Sequence, residues 1–350
     1  MELPFRIRRL AHRLRKPSSK PAEISRLNAK SREDEIELAI VDTYNDAWNE
    51  TRRGSRLTLV RSPLLRKNDK VMTIGSCFAR EIRRALEQIG FDMFPKYNDI
   101  RIDPNTQKAG KLPAKGNLFS HYNTFTIRNE FERALRNIHF EPEDFVHRQS
   151  MLGEKIFETW SKEIWQDPYR KSTYAASQAA IVDLSRSIDA CVRDAIMQSD
   201  LYVITLGLTE IWRNNNNGLV VNQAPSQELG GHAPGFTFEC STYEQNYENM
   251  RVVCSLIQEH FPQKKIVLTV SPVALARTFS GNDIIVANTE SKSTLRAVAA
   301  AISREFSNVT YWPSYEISLA RDIYRADGRH VTVEGVKAIV DQFVSVHLEK

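Results

Sequence analysis

Four short apolar runs, each halted by a residue that turns the chain, constrain this sequence more than any other feature in it. Val71-Met72-Thr73-Ile74 stops at Gly75, and Leu201-Tyr202-Val203-Ile204-Thr205-Leu206 stops at Gly207. Lys265-Ile266-Val267-Leu268-Thr269-Val270 runs into Ser271-Pro272, and Val309-Thr310-Tyr311-Trp312 runs into Pro313. A strand with one wet face alternates apolar and polar residues, whereas a continuous run suits a strand covered on both faces. Segments of helical period follow or separate these runs: Phe78–Leu86, and about 175–198, 242–260, 289–305 and 332–347. Such alternation predicts a parallel sheet between two helical layers. In sheets of that kind the ligand site lies beyond the carboxyl ends of the strands, where Gly75, Gly207, Ser271 and Pro313 all fall.

Composition narrows the function. With 41% hydrophobic residues in 350, the chain has material for a substantial core. Its net charge is +5, but residues 1–20 hold seven Lys or Arg and one Glu, so residues 21–350 sum to −1. A near-neutral body argues against nucleic acid as a partner, since phosphate binding needs a concentrated basic surface. Cys77, Cys191, Cys240 and Cys254 form no Cys-x-x-Cys pair, and no metal cluster or cofactor is expected. No apolar run reaches the length of a membrane span, and the opening residues lack the apolar stretch of a secretory signal. The expectation is a cytoplasmic protein with reduced thiols.

Residues 1–30 read as a basic arm. Within it, residues 1–20 interleave Leu3, Phe5, Ile7, Leu10 and Leu14 with basic residues. Two readings fit: a flexible basic tail, or a short amphipathic helix lying on an anionic membrane surface. The second would place the protein peripherally on the inner face of the membrane. Residues 31–69 read as a helical N-terminal extension, with apolar positions at Ile36, Leu38, Ala39, Ile40, Tyr44 and Trp48. Residues 70–350 form the catalytic-looking domain. It carries one insertion at about 96–173, with a helix near 125–137, and a second, polar one at about 213–235.

Two segments carry chemistry. Gly75-Ser76-Cys77 sits at a strand-to-helix turn, where backbone N–H groups stabilise developing negative charge and the helix dipole lowers a thiol pKa. Asp327-Gly328-Arg329-His330 precedes the last helix at the same end of the sheet, with Asp327 spaced to orient the His330 imidazole. Taken singly, each has an ordinary explanation, a small core residue or a local turn. Lys292 and Arg296 read equally as a solvated helix face or as anion binders. Tyr311, Trp312 and Tyr315 read as core, or as a surface for a sugar ring to stack on, and His121 and His232 as surface histidines, or as loop residues approaching the site.

Together with Asn117-Leu118-Phe119-Ser120-His121-Tyr122-Asn123, Thr205–Trp212, Thr269–Val273, Asn288–Arg296 and Tyr311–Glu316, the block Gly75-Ser76-Cys77-Phe78-Ala79 resembles the signature of the GSCFA family, a branch of the SGNH/GDSL hydrolases. That resemblance implies an α/β protein: a three-layer α/β/α fold with a parallel central sheet, SGNH-hydrolase or flavodoxin-like. It also implies a Ser-His-Asp arrangement. Laid over the class's Gly-Asp-Ser block, Gly75-Ser76-Cys77 puts Cys77 in the nucleophile position, with Ser76 the alternative if the turn shifts by one residue. Asp327 and His330 would be the acid–base pair. Gly75, Gly207, Thr209, Asn117 and Asn123 are candidates for holding the oxyanion or the substrate; Thr209 stands where the class carries an Asn. The activity implied is that of an esterase or acyltransferase acting on small acyl esters of a carbohydrate or glycolipid. A non-catalytic glycan-binding or scaffold protein on the same fold is the alternative. The partner expected is an acylated small molecule or glycan, with no oligomeric state indicated.

Overall fold

The chain divides into two units, Met1–Tyr44 and Asn45–Lys350. The computed structural model describes residues 57, 59–96, 100, 110–111, 119–156, 159–171, 173–225, 235–321 and 323–349, all in the second unit. The basic arm 1–30, its membrane-surface reading, and the helix expected at 33–50 lie outside these residues. Residues 57 and 59–69 contain no helix, contrary to the extension expected there. They run extended along the C-terminal end of the chain, with Leu64 and Leu65 donating backbone N–H groups to His347 O.

Five parallel strands make the central sheet: β1 (Lys70–Gly75), β2 (Asp92–Phe94), β7 (Leu201–Leu206), β11 (Lys265–Val270) and β12 (Val309–Trp312), in the order β12-β11-β7-β1-β2. The order reverses between β1 and β7, which is where a doubly wound sheet opens a crevice. Four of these strands are the four apolar runs. The fifth, β2, was hidden by its length of three residues and by Pro95 directly after it.

Side chains alternate between the faces of a strand, and the two cores follow that alternation. Met72, Ile74, Tyr202, Ile204, Leu206, Ile266 and Leu268 pack on one side. Their partners there come from α2 (Thr124–Arg136), α3 (Gln178–Gln198), α4 (Tyr243–His260) and α5 (Ile284–Glu305). Val71, Met93, Leu201, Val203, Val267 and Trp312 pack on the other side, against α1 (Cys77–Gln88), α6 (Ser314–Ala320) and α7 (Val333–His347). The expected three-layer α/β/α architecture is therefore the observed one. Polar side chains start the helices: Ser76, Asn123, Ser177, Thr242, Asp283 and Thr332 each accept a backbone N–H of the first turn.

Both expected insertions hold regular structure. The first carries α2, close to the helix expected near 125–137, and a four-stranded antiparallel sheet. Its strands are β3 (Gly110–Lys111), β4 (Val146–Ile156), β5 (Thr159–Asp167) and β6 (Thr173–Ala175). The segment read as a polar loop, 213–235, holds the end of one strand and all of another in a three-stranded antiparallel sheet of β8 (Glu210–Asn214), β9 (Val220–Val221) and β10 (Phe236–Cys240). A run of four Asn hid it, because Asn214 ends β8 and the next three form a tight turn toward β9 rather than a loose loop. Among the described residues no helix is long and apolar enough to cross a membrane.

Candidate functional site

Gly75 ends β1 at φ 127°, and an added Cβ would lie 2.1 Å from Thr205 O. No L-side chain is tolerated there, so the sharp turn needs glycine. That close approach lets Ser76 N–H donate to Thr205 O at 3.0 Å and start α1 immediately. Ser76 is buried, and its Oγ caps the helix by accepting Phe78 N–H at 3.3 Å. Cys77, the first helical residue, is only partly buried and is a free thiol. Its backbone N–H and that of Gly207 reach no acceptor among the described residues. Gly207 packs against this turn so closely that a Cβ on it would stand 3.3 Å from Ser76 Cβ and 2.4 Å from Tyr122 O.

The thiol is not lowered in the way the helix start suggests. Burial pushes the Cys77 pKa up, and the charges of Lys171, Arg80 and Lys292, in that order, only partly oppose it. Lys292 is the main residue the sequence misjudged. Instead of a solvated face it is fully buried, with Nζ donating to Gly207 O at 2.7 Å. Desolvation brings its pKa down to about 7, against a pull upward from Cys77. The neighbouring residues of α5 fasten the same loops: Ser291 Oγ accepts Thr209 N–H at 3.0 Å, and Asn288 Oδ1 accepts Leu275 N–H at 3.1 Å. Arg296, one turn on, pairs with Glu316 and lies over the Tyr311 ring.

His330 and Asp327 form a closed local unit. The carboxylate Oδ2 meets His330 Nδ1 at 2.6 Å, and Oδ1 accepts the backbone N–H groups of Arg329 and His330, each at 2.9 Å. These bonds to its ionised form hold Asp327 well below the usual carboxylate range. Arg329 ties the loop down by donating to Ala274 O and Leu275 O, just after β11.

A cavity of about 380 Å³ opens at these strand ends, and Ser76, Cys77, Gly207 and His330 all line it. In this state neither Ser76 nor Cys77 is hydrogen-bonded to His330. Arg80, Lys171, Tyr122, Trp212, Arg277 and Phe279 also line the cavity. Glu210 also lines the cavity, its carboxylate occupied by Thr278 Oγ1 at 2.5 Å and Phe279 N–H at 3.0 Å.

Among the described residues, the oxyanion donors expected from side chains, Asn123 and Thr209, do not line the cavity. Asn123 is buried, spending its amide on Val221 O at 3.0 Å and its carbonyl on Thr126 N–H. Thr209 is buried and absent from the lining, and Asn117 lies outside the described residues. Asn222 and Gln223 do line the cavity, but Asn222 Nδ2 donates to Ser120 O and its Oδ1 receives Tyr122 N–H. His121, expected on the surface, is wholly buried behind the turn, with N–H donated to Gly75 O at 2.7 Å. Burial holds its pKa down to about 4, so the ring is neutral near pH 7. His232 lies outside the described residues. Among the described residues no group of His, Cys, Asp or Glu is arranged to hold a metal ion.

Against known proteins, the GSCFA family model matches residues 70–343. The chain belongs to the GSCFA family. No curated protein is significantly similar in sequence. Solved structures with partial likeness include a carbohydrate esterase family 3 protein from Talaromyces cellulolyticus (12% identity, 79% of this chain and 94% of that one, TM-score 0.35). A family 3 carbohydrate esterase from Clostridium thermocellum shares 11% identity over 80% of this chain and 94% of its own, with TM-score 0.33. A GDSL-like lipase from Bacteroides thetaiotaomicron shares 10% over 86% and 96%, with TM-score 0.35.

Proposed function

We propose that this GSCFA protein is an ester hydrolase or acyltransferase that handles small acyl groups through an acyl-enzyme on Cys77. The observation that supports it most is a single cavity lined by Cys77, Ser76 and a histidine whose Nδ1 is held by Asp327. That bond leaves Nε2 to accept a proton. Hydrogen bonds of catalytic pairs often close only when substrate binds, so the missing bond to His330 in this state is compatible with the reading.

In the proposed reaction His330 Nε2 takes the thiol proton and Sγ attacks the ester carbonyl carbon. The N–H groups of Cys77 and Gly207, both without an acceptor among the described residues, face the oxyanion that forms. Collapse breaks the C–O bond, His330 returns the proton to the leaving alkoxide, and a thioester remains. Water then gives the acid, or a hydroxyl of a sugar or glycolipid gives a new ester. Cys77 is the better nucleophile candidate because Ser76 Oγ is engaged in capping α1, whereas the thiol is partly exposed.

A second reading, a non-catalytic acyl-glycan binder, draws support from the raised thiol pKa and from Asn123 being turned away to Val221 O. Incubation with an activated acetyl ester, followed by intact-mass and peptide mapping, separates the two. An acetyl adduct at residue 77 that disappears in Cys77→Ala and fails to form in His330→Ala is the expected result. A folded protein that binds ester but carries no adduct in any form would favour the binder.

A further inference from the structure

The charge around the cavity is lopsided in a chain whose body is not. Residues 21–350 sum to −1, yet Arg80, Lys171, Arg277 and Arg329 line the cavity against the single carboxylate of Glu210. Two of these cations are occupied. Arg80 shares Glu81, and Arg329 is spent on the carbonyls of Ala274 and Leu275. Lys171 and Arg277 have no carboxylate within ion-pair distance among the described residues. Glu210 is turned instead to Thr278 Oγ1 and Phe279 N–H, and makes no ion pair with either cation.

Lys171 is also rigidly placed, which a merely solvated lysine is not. Its Nζ donates to Tyr122 Oη at 2.5 Å. The residue before it, Arg170, is wholly buried and held from several sides. Its guanidinium meets Glu130 of α2 at 2.8 and 2.9 Å, Asp189 of α3 at 2.5 Å and Asp167 at 3.4 Å, and it donates to Ser185 O at 3.1 Å. A charge network of this density fixes the turn that presents Lys171 to the cavity. Elsewhere in the lining stand Trp212 and Phe279, edge to face at 5.3 Å, an apolar surface suited to a ring.

We propose that the ester this cavity accepts carries a negative charge, a carboxylate or a phosphate, and that Lys171 and Arg277 recognise it. This inference rests on the reading of the cavity as an ester site but is tested apart from it. Alkylation of Cys77 by iodoacetate and by iodoacetamide compares an anionic with a neutral reagent at the same sulfur, so the thiol's own pKa cancels from the ratio. Cys240, an exposed thiol on β10, is the internal reference. The iodoacetate-to-iodoacetamide rate ratio is expected to be about tenfold higher at Cys77 than at Cys240 at low ionic strength. It should fall toward the Cys240 value in Lys171→Gln/Arg277→Gln, and in roughly 0.5 M salt. Equal ratios at the two thiols, or a ratio the double variant leaves unmoved, would overturn the inference.

Turnover supplies the second arm and tells the two anions apart. Phenyl acetate, 4-acetoxybenzoate and 4-acetoxyphenyl phosphate differ in charge at a fixed acyl group. After correction for alkaline reactivity, one anionic ester should exceed phenyl acetate about tenfold in kcat/KM, and parity among all three would count against the proposal. If none is hydrolysed the esterase reading fails, while the alkylation ratio still decides the charge preference.

Discussion

Replacing Lys292 with methionine tests whether a lysine is truly buried uncharged behind the Cys77 turn. Its pKa falls from 10.5 to about 7, and each pH unit of displacement is worth about 1.4 kcal/mol, so holding the ammonium in the fold costs up to ~5 kcal/mol. The folded chain releases this proton near pH 7 and the unfolded chain near 10.5. Between those values the unfolded state binds more protons, and stability rises with pH by about 1.4 kcal/mol per unit. Below pH 7 both states are protonated and the full cost is felt; above 10.5 it is gone. Cys77, raised from 9.0, works in the opposite direction only above that value, so the window from pH 7.5 to 8.5 reports the lysine. Lys264, lowered to about 8, contributes alike to both chains and cancels. Urea unfolding of wild type and Lys292→Met at these two pH values should therefore show wild type gaining about 1.4 kcal/mol more than the variant. With an m value of about 3 kcal/mol/M, that is a difference of about 0.5 M in midpoint movement. Midpoints that move in parallel would refute the reasoning, because Lys292 would then keep an ordinary charge in the fold.

Two further substitutions probe the turn and the histidine. Gly75→Ala should lose about 3 kcal/mol or more, since Cβ would overlap Thr205 O in a backbone conformation that alanine resists; an unchanged Tm would contradict this. Asp327→Asn removes the acceptor of His330 Nδ1 and should cut kcat by about 10³- to 10⁴-fold with the circular dichroism spectrum retained; wild-type kcat would remove Asp327 from the mechanism.

The sheet was legible because burial on both faces leaves a direct mark, an unbroken apolar run. Helices α3, α4, α5 and α7 were legible because each buries a stripe of its surface. Local chemistry also read well where partners are close in sequence: the three-residue spacing of Asp327 and His330 is the bond observed. What failed were partnerships across long separations. Nothing near Lys292 says that its ammonium meets the carbonyl of Gly207, 85 residues away, and Ser291 beside it meets Thr209 in the same manner. Asn123 looked available because its acceptor, Val221 O, lies on a strand the sequence disguised as a loop. His121 looked exposed because its neighbours are polar, yet Ser120, Asn123 and Thr124 are buried with it, Asn123 bonding to Val221 O and Thr124 to Asn246.

The cavity draws its parts from two sources with different constraints. Its base is the end of the parallel sheet, where Gly75 and Gly207 tolerate no added carbon without a clash. Lys171 and Trp212 come instead from the two antiparallel sheets grafted between the sheet's strands. In the proposed reading, bond breaking and part of substrate choice, Arg277 excepted, thus fall to separate stretches of chain. Exchanging residues 159–175 or 210–240 between members of this family should redirect which ester is accepted while the turn at 75–77 goes on working as before.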